Sequence, residues 1–72
     1  MDEARLRRHL RETERQLAEG MRHIAKQRAI ISQRERDGHD VNRSKTLLDT
    51  LLQIESLHER HRDLILQQLR FV

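Results

Sequence analysis

Histidine interrupts an otherwise aliphatic row in the second half of the chain. Alternating steps of four and three residues place the members of this row on one helical face: Leu47, Leu51, Ile54, His58, His61, Ile65, Gln68 and Val72. Imidazole can bind a metal ion, take up a proton near neutral pH, or join a hydrogen-bonded polar layer. His58 and His61 are therefore the clearest lead to a chemical role.

One interpretation of these histidines is a metal site at mid-height in a helical bundle. Glu55 and His58 form a Glu-x-x-His spacing, which di-iron carboxylate bundles use on their helices. Folding the chain at its centre brings a second set of polar side chains level with them. The predicted ligands, which would suit zinc or iron, are His23, Glu55, His58, His61 and Glu19. Gly20, a glycine inside a helix, is expected to leave room for the imidazole rings.

Two other interpretations need no metal and no cofactor. The histidines can form a neutral polar layer that fixes the register of packed helices at some cost in stability. They can also act as a proton switch, because charging buried imidazoles would loosen the packing. The working interpretation is the polar layer, and no cofactor is then expected. Nothing in the sequence supplies a nucleophile with a base or a phosphate-binding loop, so we predict that the chain is not an enzyme unless the His/Glu cluster binds a metal.

The composition defines the elements that must position these side chains. The chain has 72 residues, with 38% charged residues, no cysteine, no proline and one phenylalanine. Helix-forming residues dominate, which favours long helices over a sheet. No segment resembles a membrane span or a signal peptide, so we expect a cytoplasmic protein without membrane contact.

A single break divides the chain into two helices. Gly38 suits the left-handed position after a helix end, and Asp40 can cap the helix that follows. We predict helix 1 over about 3–36, a turn at 37–40 and helix 2 over about 41–70. Residues 1–72 are thus predicted to form one all-α domain, an antiparallel two-helix hairpin.

Apolar rows on both helices indicate that the hairpin needs a partner. The predicted core and dimer positions are Leu10, Leu17, Ile24 and Ile31 on helix 1, and Leu47, Leu51, Ile54 and Ile65 on helix 2. Further leucines beside the second row make its apolar surface too wide for one neighbour. We therefore expect a homodimer that closes a four-helix bundle, and the alternative is a different helical protein as the partner.

Arginine is concentrated in the first turns of helix 1. This basic arm comprises Arg5, Arg7, Arg8, Arg11 and Arg15, and the chain as a whole carries a formal charge of +3. Acidic residues are interspersed, which favours a solvated face held by pairs such as Glu12 with Arg15. The alternative is a basic adaptor for nucleic acid, but aromatic side chains for base stacking and a recognisable binding motif are both missing.

Three short segments carry a resemblance to other proteins. They are RHIAKQR at 22–28, ERDGHD at 35–40 and LHERHRD at 57–63. They resemble short uncharacterised proteobacterial helical-hairpin proteins with the patterns RHIAxQR, ERDGHD and LHxxHRD, over most of residues 14–66. In the proteins that it resembles, the second segment usually has an apolar residue directly before it, and this chain has Arg34 at that position. The resemblance implies a bacterial hairpin and brings no activity, so the sequence predicts a small interaction or scaffold module.

Overall fold

The computed structural model describes residues 2–72, which form two packed helices. Helix α1 spans Glu3–Arg36 and helix α2 spans Asn42–Leu69. The helices lie against each other as an antiparallel hairpin about 55 Å long, and the described residues contain no strand. The predicted all-α hairpin is confirmed, with helix bounds within one residue of those expected.

Local hydrogen bonds explain where α1 begins and ends. The Asp2 side chain accepts from the Ala4 amide at 3.0 Å and caps the first turn. At the other end, the His39 amide donates to the Arg34 carbonyl at 2.9 Å and the Gly38 amide to the Glu35 carbonyl at 3.1 Å. These two hydrogen bonds form a Schellman motif, which needs a left-handed residue after the helix.

Gly38 supplies that left-handed residue, with a φ of 75°. The chain then reverses over Asp37–Val41. The Asp40 carboxylate accepts from the Asn42 amide at 2.9 Å, so it satisfies one free donor at the start of α2. The turn is thus built from residues whose local preferences agree with it, and it fixes the antiparallel direction of α2.

The face of α1 that meets α2 repeats at steps of four and three. Its buried members are Leu6, Thr13, Leu17, Ile24, Gln27 and Ile31, with Leu10 and Gly20 half-buried between them. Among the predicted helix 1 positions, Leu17, Ile24 and Ile31 are therefore in the hairpin core and Leu10 lies at its edge.

The face of α2 that meets α1 differs from the predicted row. We call it the inner row: Ser44, Leu48, Leu51, Glu55, His58, Arg62, Ile65 and Leu69, all buried or half-buried. Leu51 and Ile65 were expected there. Leu47 and Ile54 were predicted as core or dimer positions, and at 49% and 44% exposed they lie outside the core of the single hairpin. The physical reason is a rotation of α2 about its axis, which carries Glu55 inward and Ile54 outward.

Gln27 connects the two helices near the turn. Its side-chain amide donates to the Ser44 carbonyl at 2.9 Å, so this buried polar group is satisfied. Lys45 and Glu35 add an exposed ion pair at 3.7 Å, which contributes little because water screens it. Over the described residues, neither helix has an apolar stretch that could cross a membrane.

Candidate functional site

Glu55 is the buried charged residue at mid-height in the hairpin. It is 7% exposed, and its carboxylate lies against the backbone of Gly20 on α1. A Cβ atom placed on Gly20 would overlap the near carboxylate oxygen and come within 2.9 Å of the carboxyl carbon. The glycine inside α1 thus makes space for a side chain of α2, but that side chain is a carboxylate. The expectation that Gly20 accommodates imidazole is corrected.

Two buried polar atoms beside Gly20 lack partners. Among the described residues, Oε1 of Glu55 and Nδ1 of His58 form no hydrogen bond, although both are enclosed. Such groups are uncommon in native proteins, because each loses its bonds to water without replacement. The two atoms belong to residues one helical turn apart on α2. The centre of the hairpin is therefore polar and incompletely satisfied.

A groove on one side of the hairpin leads to this centre. Gln16, Glu19, Gly20 and His23 of α1 line it, together with Leu51, Ile54, Glu55 and His58 of α2. Four of the five predicted metal ligands therefore reach one groove. Glu19 is already engaged, since its carboxylate accepts from Arg15 at 2.8 Å. His23 is exposed and His58 half-buried.

His61 lies apart from that groove. It lines a separate depression near the open end of the hairpin, with Arg5, His9 and Gln68 among its neighbours. The reason is the rotation of α2, which puts His61 in register with Ile54 and outside the inner row. Within residues 2–72, no three histidine or carboxylate side chains converge as metal ligands. The five-residue cluster expected from the sequence does not assemble within one chain.

A second heptad row on α2 faces away from α1. This outer row consists of Leu47, Thr50, Ile54, Leu57, His61, Leu64 and Gln68. Its four aliphatic members are between 44% and 60% exposed. The spacing that marks a helix–helix contact is therefore present twice on α2, once with a partner and once without.

The outer row continues onto α1 as one surface. Gln16 and His23 share the central groove with Ile54, and His9 lies beside His61 and Gln68. Ile30 follows at the same seven-residue spacing. We call the outer row together with His9, Gln16, His23 and Ile30 the histidine face. None of these eleven residues is Arg, Lys, Asp or Glu, but Glu19 lines the central groove among them and Arg5 lines the depression beside His9 and His61.

The opposite flank of the hairpin has a different character. Its groove combines Met21 and Leu52 with Arg28, Glu59 and Arg62. Alternating charges beside scattered apolar residues are typical of a solvated surface. This groove thus has four charged lining residues, whereas the central groove has two, Glu19 and Glu55.

The basic arm is divided by ion pairs along α1. Arg7 contacts Glu3 at 3.1 Å, and Arg15 contacts both Glu12 and Glu19 at 2.8 Å. The hydrogen bond to Glu12 and the charge of Glu19 raise the pKa of the Arg15 guanidinium above its usual value. Arg5, Arg8 and Arg11 form no ion pair within residues 2–72 and are exposed. The arm is therefore a solvated helix surface on which acids neutralise part of the charge.

Comparisons with known proteins identify no relative. No family model, no curated protein and no solved structure matches the chain. The functional argument therefore depends on the geometry of the hairpin itself. Sequence reasoning overlooked the outer row as a continuous seam, although its alternating steps of three and four were visible in the residues.

Proposed function

We propose that this chain is a self-associating helical module, in which two hairpins pair through their histidine faces into a four-helix bundle that serves as an interaction scaffold. One observation carries the proposal. Helix α2 turns a row containing Glu55 and Arg62 toward α1 and leaves the aliphatic members of the outer row in contact with water. Each row has four aliphatic members, but only the inner row contains charged residues, and a helix with one neighbour would bury the uncharged row because buried charge is costly. The observed rotation makes sense if a second neighbour covers the outer row.

The histidine face is large enough for a stable interface. The hairpin is 55 Å long, and two helices side by side are about 20 Å wide, so the face covers about 1,100 Å² in projection. A stable complex buries about 800 Å² on each partner. Pairing would also enlarge a core that, over residues 2–72, holds five buried aliphatic side chains. Chains of this size usually need such help.

The chemistry of the face favours a second copy over a different protein. The eleven residues of the face carry neither Arg, Lys, Asp nor Glu, and the two charges that border it, Arg5 and Glu19, have opposite signs, so the face offers a partner no patch of one charge. A twofold axis matches an uncharged heptad row with itself without any further specificity. Within the basic arm, Arg5 borders this surface beside His9 and His61, and the other arginines of the arm stay in solvent. A cytoplasmic scaffold role follows as part of the proposal.

Light scattering during gel filtration of untagged protein tests the proposal. We expect a dimer at micromolar concentration, and Leu64→Glu should shift it to monomer because a charge would be buried in the interface. Leu66→Glu is the matched control. Leu66 is 43% exposed and Leu64 is 53% exposed, but Leu66 lies on the opposite flank of α2. The control protein should remain dimeric.

Two results would overturn this proposal. A monomer at several hundred micromolar, both with and without zinc chloride, would show that the face does not pair with itself and would favour a different helical partner. Equal loss of the dimer in Leu64→Glu and Leu66→Glu would place the interface elsewhere. Circular dichroism of each variant at the same concentration separates loss of association from loss of the helices.

A further inference from the structure

We propose that the dimer binds one zinc-class ion between its two copies, with His23 and His58 of each copy as ligands and Glu55 as the residue that orients His58. This inference rests on the proposed pairing through the histidine face. Its starting point is the central groove, which both histidines line and where Glu55, although more than nine-tenths buried, has an oxygen without a partner among the described residues.

The groups in the groove have the chemistry of a nitrogen-ligand site. Imidazole suits zinc and similar borderline ions, and four nitrogens satisfy the tetrahedral geometry of zinc. Metal-bound histidines usually donate their second ring N–H to a carboxylate, which fixes the ring. His58 presents an enclosed Nδ1 one turn from the enclosed Oε1 of Glu55, and both lack partners among the described residues. In the proposed site these two atoms bond to each other, which leaves Nε2 of His58 for the ion.

One hairpin alone cannot complete the site. Three potential ligands do not converge anywhere within residues 2–72 of a single chain. His23 and His58 supply two nitrogens, and Glu19 is held by Arg15. A twofold axis would double the pair to four, as in any site shared by symmetric subunits.

Because the central groove lies near the middle of the hairpin, the grooves of two paired hairpins face each other. Helix α1 spans Glu3–Arg36 and α2 spans Asn42–Leu69, so His23 and His58 lie within about one turn of the middle of each helix. If the paired hairpins run in the same direction, each residue lies at the same height as its counterpart in the other copy. If they run in opposite directions, only residues near the middle of the hairpin do. The groove therefore meets its counterpart in both arrangements, provided that the faces overlap fully.

Isothermal titration of untagged, metal-free protein with zinc chloride tests the site. We expect one ion for every two chains, and a dimer that dissociates less readily when zinc is present. His58→Ala and His23→Ala should each abolish this binding. Glu55→Gln should keep the stoichiometry and weaken the affinity by about 10- to 100-fold. His39→Ala, in the turn, is the matched control and should bind zinc as the native protein does.

The outcomes separate this inference from the proposed dimer. A chelator-treated dimer that takes up no zinc would overturn the metal site and leave the pairing intact. One ion per chain, or equal weakening by His39→Ala and His58→Ala, would also overturn it. A metal-free monomer that becomes a dimer only with zinc, at one ion per two chains, would support the site and show that pairing depends on the metal.

Discussion

The carboxylate of Glu55 lies on the backbone of Gly20, in a space that a single methyl group would fill. This contact links the one glycine within α1 to the buried charge of α2. Glycine in a helix interior costs about 1 kcal/mol relative to alanine, so a helix keeps it where a neighbour needs the space. The pair therefore determines how α2 is rotated against α1.

The first prediction concerns the coupling between these two residues. In a Glu55→Ala background, Gly20→Ala should raise the free energy of unfolding by about 1 kcal/mol, because only helix propensity changes. In the native background the same substitution must expel the carboxylate, and the gain should be lost. Urea denaturation of the four proteins at one concentration gives the coupling, expected at about 1 kcal/mol or more. Additive effects would show that Glu55 does not need the space at Gly20.

The sequence predicted the hairpin because its signals are local. Gly38 and Asp40 act on the few residues around the turn, and the α1 row has a single continuous set of apolar positions. These features do not depend on what the rest of the chain does. The same applies to the half-buried position of Leu51 and the buried position of Ile65, which belong to both the predicted row and the inner row.

The rotation of α2 could not be predicted in this way. Two overlapping rows have the same three-and-four spacing, and apolar content favours the one with Leu47 and Ile54. The structure buries Glu55 instead, because Gly20 offers it space. That choice depends on the shape of α1 and, under the proposed pairing, on the second copy beside α2. Neither can be read from periodicity. The metal cluster that was expected from folding the chain at its centre therefore included His61, which the structure places in a separate depression.

The second prediction concerns the cost of the buried carboxylate. Glu55→Met keeps an unbranched chain of similar length and removes an oxygen that has no partner in the described residues. Replacing a poorly compensated buried charge by an apolar group is often stabilising, so unfolding should require about 1–3 kcal/mol more. Thermal and urea unfolding at fixed protein concentration measure the change.

Glu59→Met is the control for this substitution. Glu59 is exposed on the next turn of α2, so this substitution should change the free energy of unfolding of the protein by no more than about 0.5 kcal/mol. If Glu55→Met were less stable than the native protein, the carboxylate would have a favourable partner that the single hairpin lacks. Greater stability combined with loss of zinc binding would mean that Glu55 serves the site at the expense of the fold.

The third prediction concerns the turn and separates folding from association. Gly38 has a φ of 75°, where a side chain costs about 1–2 kcal/mol, so Gly38→Ala should lower the free energy of unfolding by about that amount. Gly38→Asn should cost less, because asparagine tolerates this conformation. A Cβ here would meet no other atom within 4 Å, so backbone strain is the only contribution. The turn lies far from the central groove, so both variants should keep the native dimer constant and zinc stoichiometry. An alanine variant as stable as the native protein would contradict the Schellman turn as the element that fixes the hairpin.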